Sequence, residues 1–330
     1  MSQSIFLQAF QGTNKTVPVW FMRQAGRYLP EYRALKAKYS LEQMFRTPEL
    51  AAQITCLPIP ILGVDAAILF ADILTLPSAM GANVRFNNDG PQINIPDLKE
   101  LHDLDDLSYV SKTIQLVKKE LPQNIPLIGF AGGPFTVLTY LVEGGGSSNF
   151  TKTFQLAYTN PKLFHQLLER LTKNTINYLK LQKDAGIQTF QVFDTWAGIL
   201  KPEDFRVWAL PYIQQIFKSV DLPSIYFTRN SAHLVSLLKD CGSDFISVDH
   251  TVTLDDSSLQ KIEKGIQGNL FNGLLYSEDK ILREEVLKLL NAARSHERFI
   301  FNLNHGVFPD VAVEKLKLIV ETVHQFKWKK

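Results

Sequence analysis

Two arginines that flank a glycine are the residues of this sequence best suited to bind an anion. Arg23 and Arg27 lie in the segment 21–30, FMRQAGRYLP, directly after a short apolar run at 17–21. A guanidinium group is planar and presents a fork of donors that fits a carboxylate or a phosphate in a bidentate manner. Gly26 allows a sharp turn and a close approach of the backbone to a ligand. Taken by itself, the segment fits an anion-binding loop and an exposed loop paired with surface acids about equally well.

The bulk composition leaves the class of ligand to local features. The chain has 330 residues, 45% of them hydrophobic, which suffices for one large α/β barrel or for two smaller domains. A net charge of only +2 and a pI of about 8.3 give no reason to expect binding to nucleic acid or to a membrane. An anionic ligand therefore needs a local basic patch, and residues 23–46 provide six Lys and Arg against few acids.

Cysteine usage and the apolar stretches indicate a cytoplasmic protein. Cys56 and Cys241 lie far apart and in no metal-ligand spacing, as expected for reduced thiols. Residues 1–15 are polar and lack the apolar core of a signal peptide. The longest apolar stretch, 59–80, is interrupted by two prolines and two aspartates, so it is not predicted to span a membrane.

Short apolar runs that alternate with helical patterns predict the elements that must position the arginines. Several runs are apolar at successive positions, as strands buried on both faces must be. The eight predicted strands are residues 17–21, 65–70, 126–130, 188–193, 224–227, 245–248, 265–269 and 299–303. Helices are predicted at 134–142, 161–183, 202–219, 278–294 and 310–326. This alternation favours an α/β fold of the (β/α)8 TIM-barrel type, as one domain over residues 1–330; a doubly wound open sheet is the alternative.

Polar residues and glycines gather directly after the predicted strands. They include Asp72, Gly132, Gly133, Asp194, Arg229, Asp249, Asn304 and His305. If the sheet closes, the loops that carry them surround one mouth at the carboxyl ends of the strands, where barrel enzymes keep their active sites.

Five segments, taken in order, resemble the uroporphyrinogen decarboxylase family. They are residues 21–30, 68–74, 129–136, 139–148 and 302–310. Long motifs in register over nearly the whole chain are far more specific than a single short pattern. The resemblance implies a (β/α)8 barrel that is usually a homodimer and uses no cofactor and no metal. It also implies removal of the four acetate carboxyls of uroporphyrinogen III as CO2, which gives coproporphyrinogen III in haem biosynthesis.

The same resemblance implies a set of substrate-binding residues around the mouth. Carried over position by position, the set is Arg23, Gln24, Ala25, Gly26, Arg27, Asp72, Tyr140, Thr195 and His305. Asp72, Arg23 and Arg27 are the candidate catalytic residues. Without the resemblance, Tyr140 would be a half-buried helical tyrosine, Thr195 the start of a loop, and His305 a packed histidine.

The implied reaction explains why an aspartate and arginines are needed together. Loss of CO2 from a pyrrole acetate leaves an electron pair on the CH2 carbon, and a plain pyrrole is a poor acceptor. Protonation of a ring carbon next to nitrogen gives an iminium-like cation that accepts the pair. Asp72, in the apolar segment ILFADIL, suits the stabilisation of that cation, although by itself it would be expected to cap a helix turn. The arginines would clamp substrate carboxylates; the proton could come from an arginine, from water or through an Arg-bound carboxyl, and arginine is an inefficient acid near neutrality.

A few positions depart from the family pattern. Asn304 stands where the family usually has Gly, and Phe271 and Asn272 stand where Asp and Pro are usual. His250 replaces a common Trp, and the loop at 228–231 lacks a frequent Gly. These departures predict a rim of different shape and leave the central arginine and aspartate positions unchanged.

Three other functions are weighed by the residues that each requires. Zinc-dependent methyltransferases of the same superfamily, which act with corrinoid proteins, commonly need His-x-Cys, and none of the seven histidines has a Cys two residues on. A tetrapyrrole carrier could use the arginines and a roomy mouth but would not need Asp72. The glycine-rich segment 143–148, predicted to be a flexible cover or turn, lacks the lysine of a P-loop and does not match GxGxxG, so nucleotide binding carries little weight.

Overall fold

The strands and helices follow the apolar patterning of the chain in the expected order. The computed structural model describes residues 4–87, 90–95, 97–255 and 257–328. The strands are β1 (Ala67–Ile68), β2 (Asn83–Asn87), β3 (Gly90–Asn94), β4 (Leu127–Gly132), β5 (Thr189–Phe193), β6 (Ser224–Phe227), β7 (Phe245–Ser247), β8 (Gly265–Leu270) and β9 (Phe299–Leu303). The helices are α1 (Ile5–Phe10), α2 (Pro30–Lys36), α3 (Leu41–Arg46), α4 (Pro48–Cys56), α5 (Pro58–Leu62), α6 (Thr75–Ala79), α7 (Ser108–Glu120), α8 (Pro134–Glu143), α9 (Thr151–Thr159), α10 (Pro161–Ala185), α11 (Pro202–Trp208), α12 (Leu210–Ser219), α13 (Val235–Leu238), α14 (Ser257–Gln260), α15 (Asp279–Ala293) and α16 (Val313–Gln325). Among the described residues, no helix is long and apolar enough to cross a bilayer.

Seven of the strands form one curled parallel sheet. Their order is β1-β4-β5-β6-β7-β8-β9, so strands that follow one another along this series are neighbours in the sheet. Strands β4, β8 and β9 are buried at every residue, as parallel strands covered on both faces must be. Val19 forms a parallel bridge with Phe301, and the Asp65 N–H donates to the Val19 carbonyl at 2.8 Å. The chain around Val19 therefore lies between β9 and β1 and closes the sheet, which confirms the predicted barrel.

The first predicted strand, 17–21, is reduced to that single bridge. Pro18 has no N–H to donate, and the Val19 N–H donates to Asp65 Oδ2 at 2.8 Å instead of to a strand carbonyl. The remaining ladder bonds run from the Phe301 N–H to the Pro18 carbonyl at 2.9 Å and from the Trp20 N–H to the Phe301 carbonyl at 3.4 Å. A carboxylate side chain thus supplies part of the pairing that a regular strand would supply.

Two further differences from the predicted elements have local causes. The predicted helix at 202–219 breaks at Ala209 into α11 and α12, because Pro211 in the first turn of α12 cannot donate to a preceding turn. The antiparallel hairpin β2–β3 was not predicted, and its Ile93 N–H donates to the Gly144 carbonyl at 3.0 Å. Gly144, at φ +82°, ends α8, so the glycine-rich segment is a helix-terminating turn that pairs with the hairpin.

Alternate strand residues fill the inside of the barrel. Ile225 and Phe227 of β6 belong to a small cluster with Phe245 and Ile300, while Tyr226 between them packs in the large outer core. Phe6 and Ala9 of α1 join this small cluster, and Phe10 packs against Phe245, the first residue of β7, with ring centroids 4.6 Å apart. Helix α1 therefore covers the amino ends of the strands and leaves the carboxyl ends as the accessible mouth.

Candidate active site

The arginine loop is held in place by the fully buried Gln24. Its side-chain amide donates to the Ala66 carbonyl at 3.0 Å, and its oxygen accepts the Phe21 N–H at 3.2 Å. The Gln24 N–H donates to the Phe21 carbonyl at 3.0 Å, and its carbonyl accepts the Tyr28 hydroxyl. All polar groups of Gln24 are thus bonded within the protein. This residue positions Arg23 and Arg27 on its two sides.

Arg23 is an exposed side chain on a left-handed backbone. Its φ is +62°, a conformation that a residue other than glycine adopts only when its surroundings impose it. The Met22 carbonyl before it accepts the Val307 N–H at 3.0 Å, which ties the loop to the chain beyond β9. There the Arg23 side chain lies directly on Gly306: a Cβ at Gly306 would be 2.4 Å from Arg23 Cδ. The turn aims the guanidinium over the loop that carries His305.

Arg27 occupies a different part of the rim. It is exposed and lines a surface depression with two other cations, Arg33 and Lys36, and with Pro309 and Asp310. The Arg33 guanidinium donates to the Arg27 carbonyl at 3.0 Å, which fixes the turn into α2. Arg27 therefore provides positive charge at the edge of the mouth, whereas Asp72 lines a separate recess with residues of α3, α6 and β2.

Asp72 caps a helix turn and also retains a free carboxylate oxygen. Its Oδ1 accepts the Leu74 N–H at 2.8 Å, and its N–H donates to Thr75 Oγ1 at 3.4 Å, so it forms the turn that leads into α6, which begins at Thr75. Within the part of the chain that the structure describes, Oδ2 has no hydrogen-bond partner. Burial raises the pKa of the Asp72 carboxyl, while the Leu74 N–H and the positive charge of Arg23 lower it. The expected capping role and an accessible carboxylate therefore coexist.

Tyr140 lies in the electrostatic field of Asp72 and Arg23. It is half-buried near the end of α8, with its ring centroid 6.2 Å from that of Trp196. Burial raises the pKa of the Tyr140 hydroxyl; Asp72 raises it further, whereas Trp196 and Arg23 lower it. Thr195 precedes Trp196 in a 3-10 turn, Thr195–Ile199, and is also half-buried. The charges of Asp72 and Arg23 thus both act on the Tyr140 hydroxyl, and Thr195 precedes Trp196, the aromatic neighbour of Tyr140.

Asp194 is a buried carboxylate to which the sequence analysis assigned no role. Its Oδ1 accepts the Thr136 N–H at 3.0 Å and the Thr136 hydroxyl at 2.7 Å, and its Oδ2 accepts the Tyr226 hydroxyl at 3.0 Å. The Trp196 N–H in turn donates to Thr136 Oγ1 at 3.0 Å. Asp194 therefore joins the start of α8 to the loop after β5, and holds Tyr140 and Thr195 relative to each other. Its place directly after a predicted strand was the available signal.

His305 is neutral in this setting. Burial lowers the pKa of its imidazole to about 3, with further lowering by the charges of Arg23 and Arg229 and an opposite effect from Asp249. Its ring centroid is 6.1 Å from that of Phe227. A neutral imidazole in the electrostatic field of two guanidinium groups is suited to hydrogen bonding with a bound anion. It is poorly suited to donate a proton near neutrality until a bound carboxylate changes the local charge.

Four of the positions that depart from the family pattern, His250, Phe271, Asn272 and Asn304, form one cluster beside His305. Asn304 Oδ1 accepts the Asn272 N–H at 2.7 Å, and Asn304 Nδ2 lies 3.0 Å from His250 Nδ1. The rings of His250 and Phe271 are stacked at a tilt, with centroids 4.7 Å apart. Asn272 Nδ2 donates to the Gly306 carbonyl at 3.0 Å. These four residues and Gly306 are thus linked by side-chain and backbone contacts at the rim.

The described residues contain no group of three or more His, Cys, Asp or Glu side chains that could hold a metal ion. Cys56 and Cys241 are free thiols, half-buried and buried respectively.

The fold and the mouth define a TIM-type α/β barrel with a carboxylate and several guanidinium groups at the carboxyl ends of its strands. The chain belongs to the uroporphyrinogen decarboxylase (URO-D) family, whose profile matches residues 1–326. A uroporphyrinogen decarboxylase of Thermodesulfovibrio yellowstonii is 42% identical over 98% of both chains. One of Bacillus pumilus is also 42% identical, over 98% of this chain and 96% of the relative.

A solved methyltransferase from Methanosarcina mazei has the same fold. It superimposes with a TM-score of 0.84 over 98% of both chains, at 19% sequence identity. A B12-independent methionine synthase from Shewanella superimposes less closely, with a TM-score of 0.60, 12% identity and 86% of this chain covered. At these identities the likeness concerns the barrel alone.

Proposed function

We propose that this protein is a carboxy-lyase that converts uroporphyrinogen III to coproporphyrinogen III by removing its four acetate carboxyls as CO2, without a cofactor. The observation that carries the proposal is Asp72, with a free carboxylate oxygen, inside the field of Arg23 at the mouth of the barrel. Family membership over residues 1–326 supports the same reaction.

In each decarboxylation the substrate takes up one proton in total and releases one CO2. A proton adds to a pyrrole ring carbon next to nitrogen and gives an iminium-like cation. The C–C bond to the carboxylate then breaks, CO2 leaves, and the electron pair neutralises the ring. A second proton on the former CH2 carbon and loss of the first from the ring complete the methyl group. Asp72 Oδ2 accepts pyrrole N–H bonds and stabilises the cation, an interaction of the kind that contributes about 3–4 kcal/mol in enzyme sites.

The remaining site residues bind and orient the substrate in this proposal. Arg23 and Arg27 clamp side-chain carboxylates from two parts of the rim. Tyr140, Thr195 and the neutral His305 contribute hydrogen bonds, while Gln24, Ala25 and Gly26 shape the loop. The lowered pKa of His305 argues against this imidazole as the proton donor in the free enzyme, so water or an Arg-bound carboxyl is the better source.

The assembly follows from the family resemblance, and the location follows from the cysteine usage and the polar segment at 1–15. We propose a homodimer in the cytoplasm, with one barrel domain that spans residues 1–330. The family profile over 1–326 supports the single domain.

One assay tests the function directly. Purified protein is incubated anaerobically with uroporphyrinogen III, without added metal or cofactor, and the products are separated by chromatography. The expected result is a series from hepta- to tetracarboxylate products. Binding of the substrate without any product would instead favour a tetrapyrrole carrier. A separate metal titration that shows tight zinc binding would favour the zinc-dependent methyltransferase.

A further inference from the structure

Three consecutive strand ends bring His250, Phe271 and Asn304 together at the rim. His250 follows β7, Phe271 comes directly after β8, and Asn304 comes directly after β9. His250 is exposed and Phe271 is 46% exposed, whereas Asn304 is buried beneath them. The exposed rings of His250 and Phe271 thus pack together above the buried amide of Asn304, at the mouth and next to His305.

Backbone geometry fixes the orientation of the Asn304 amide. The Asn272 N–H can only donate, and it lies 2.7 Å from Asn304 Oδ1. The amide nitrogen of Asn304 therefore faces the other way, toward His250 Nδ1 at 3.0 Å. A rotated amide would place two N–H groups against each other at Asn272.

The orientation of Asn304 determines the tautomer of His250. An amide nitrogen donates, so His250 Nδ1 accepts and carries no proton. The neutral ring then carries its proton on Nε2. Among the described residues, Nε2 has no hydrogen-bond partner, so this N–H remains available to a ligand.

The surrounding charge selects the kind of ligand. The guanidinium groups of Arg23 and Arg229 both act on His305, the residue next to Asn304, and Asp249 opposes them. The Asp249 carboxylate is already engaged by the Asn230 N–H and by the N–H and hydroxyl of Thr251, so the two guanidinium groups dominate. An N–H donor in a region of positive potential favours an anionic acceptor, and bonds to carboxylates are stronger than bonds to neutral acceptors. The face of the Phe271 ring offers an apolar surface beside the donor.

We propose that His250 Nε2 binds one carboxylate arm of the tetrapyrrole substrate at the rim, with the Phe271 ring packed against that arm and Asn304 as the positioning residue. The proposal rests on the proposed function for the identity of the substrate. It adds a binding subsite at the carboxyl ends of the last three strands, β7 to β9, whereas the arginine loop lies near the start of the chain.

Binding of uroporphyrin III, the fluorescent oxidised form of the substrate, tests the subsite without turnover. His250→Phe keeps an aromatic ring against Phe271 but removes the donor, and we expect its Kd to rise about tenfold. In Asn304→Asp one carboxylate oxygen still accepts the Asn272 N–H, while the other accepts from His250 Nδ1. The proton then moves to Nδ1, and we expect a similar rise in Kd although the ring remains. Asn291→Asp, on the exposed side of α15, is the charge-matched control with unchanged Kd.

The tautomer of His250 is a second measurement, and it would not change if Asn304 had only a structural role. Nitrogen-15 NMR of the imidazole should report His250 protonated at Nε2 in the wild type and at Nδ1 in Asn304→Asp. An unchanged Kd in His250→Phe, or an Nδ1–H tautomer in the wild type, overturns the proposal. If the wild type forms no decarboxylated product yet His250→Phe still loses affinity for uroporphyrin III, the subsite stands and the decarboxylase function fails.

Discussion

Gly306 provides the surface on which the Arg23 side chain rests. A Cβ at position 306 would lie 2.4 Å from Arg23 Cδ and 2.8 Å from Arg23 Cγ, so the absence of a side chain there allows the guanidinium to reach the mouth. The contact joins the first loop of the barrel to the last.

Gly306→Ala should therefore displace Arg23 without unfolding the protein, because the atoms that must move belong to a flexible side chain. We expect kcat/KM to fall by about ten- to a hundredfold, the range that small misplacements of a binding group produce, with little change in urea-induced unfolding. Gly146→Ala is the matched control, since nothing lies within 4 Å of a Cβ built there. Equal activity of the two variants would show that Arg23 does not depend on this contact.

Asp72→Asn separates the electrostatic role of Asp72 from its capping role. The amide oxygen can still accept the Leu74 N–H, so α6 should stay formed, but the negative charge that stabilises the cationic ring is lost. We expect kcat to fall by about 10²–10³, with Kd for the substrate changed only a few-fold. Single-turnover rates and equilibrium binding measure the two effects. Asp184→Asn, on an exposed position of α10, serves as control; unchanged turnover of Asp72→Asn would remove this carboxylate from the mechanism.

Arg27→Ala should weaken binding and also slow the reaction. Arg27 shares its depression with Arg33 and Lys36, so its removal lowers the local positive potential as well as one carboxylate clamp. We expect kcat/KM to drop about tenfold, with a smaller drop at high salt, because exposed charges are screened there. Steady-state kinetics at two ionic strengths, with Arg283→Ala on α15 for comparison, provide the measurement. Near-native kinetics would contradict the clamp.

The pair His324–Asp65 should make stability depend on pH in a defined direction. His324 Nε2 lies 2.9 Å from the same Asp65 oxygen that accepts the Val19 N–H, and this hydrogen bond raises the pKa of His324 despite the opposing effect of burial. A raised histidine pKa contributes stability that is complete below the unfolded pKa of about 6.5 and is lost as pH rises through the folded-state pKa. The side chain of His324 is 36% exposed, so the contribution is below about 1 kcal/mol.

Urea unfolding of the wild type and of His324→Gln at several pH values measures this term. The stability difference between them should shrink as pH rises from about 5.5 to about 8.5. His296 and His305 have lowered pKa values and act in the opposite direction, but they are common to both proteins and cancel in the difference. A difference that does not change with pH would exclude a charged His324.

The parallel strands could be predicted because burial on both faces leaves continuous apolar runs, and β6 has the predicted bounds, 224–227. The hairpin β2–β3 escaped the same search because it is only half-buried: Val84 and Phe86 alternate with exposed residues. Val19 was assigned to a full strand because local sequence does not reveal that Asp65 takes its N–H.

The candidate site also contains residues that the sequence predicts and contacts that it does not predict. Motifs predicted four of the site residues, namely Arg23, Asp72, Tyr140 and His305. In the structure, the charge of Arg23 acts on each of the other three. The role of Asp194 was missed because its partners lie 58 and 32 positions away in the chain. The contact between Asn304 and His250 spans 54 positions and is equally invisible to local patterns.

The closure of the barrel also determines when contacts of the arginine loop can form during synthesis on the ribosome. Met22 donates its N–H to Asn302 Oδ1 at 3.2 Å across 280 positions of sequence, so this anchor of the loop that carries Arg23 can form only after β9 has been synthesised. Contacts of such long range make folding slow, because the entropy of closing the chain must be overcome first. A nascent chain arrested before β9 would contain Asp72, Tyr140 and the bond from Gln24 to Ala66, but the arginine loop would lack its contacts with Asn302 and Gly306, so the complete mouth is among the last features this polypeptide acquires.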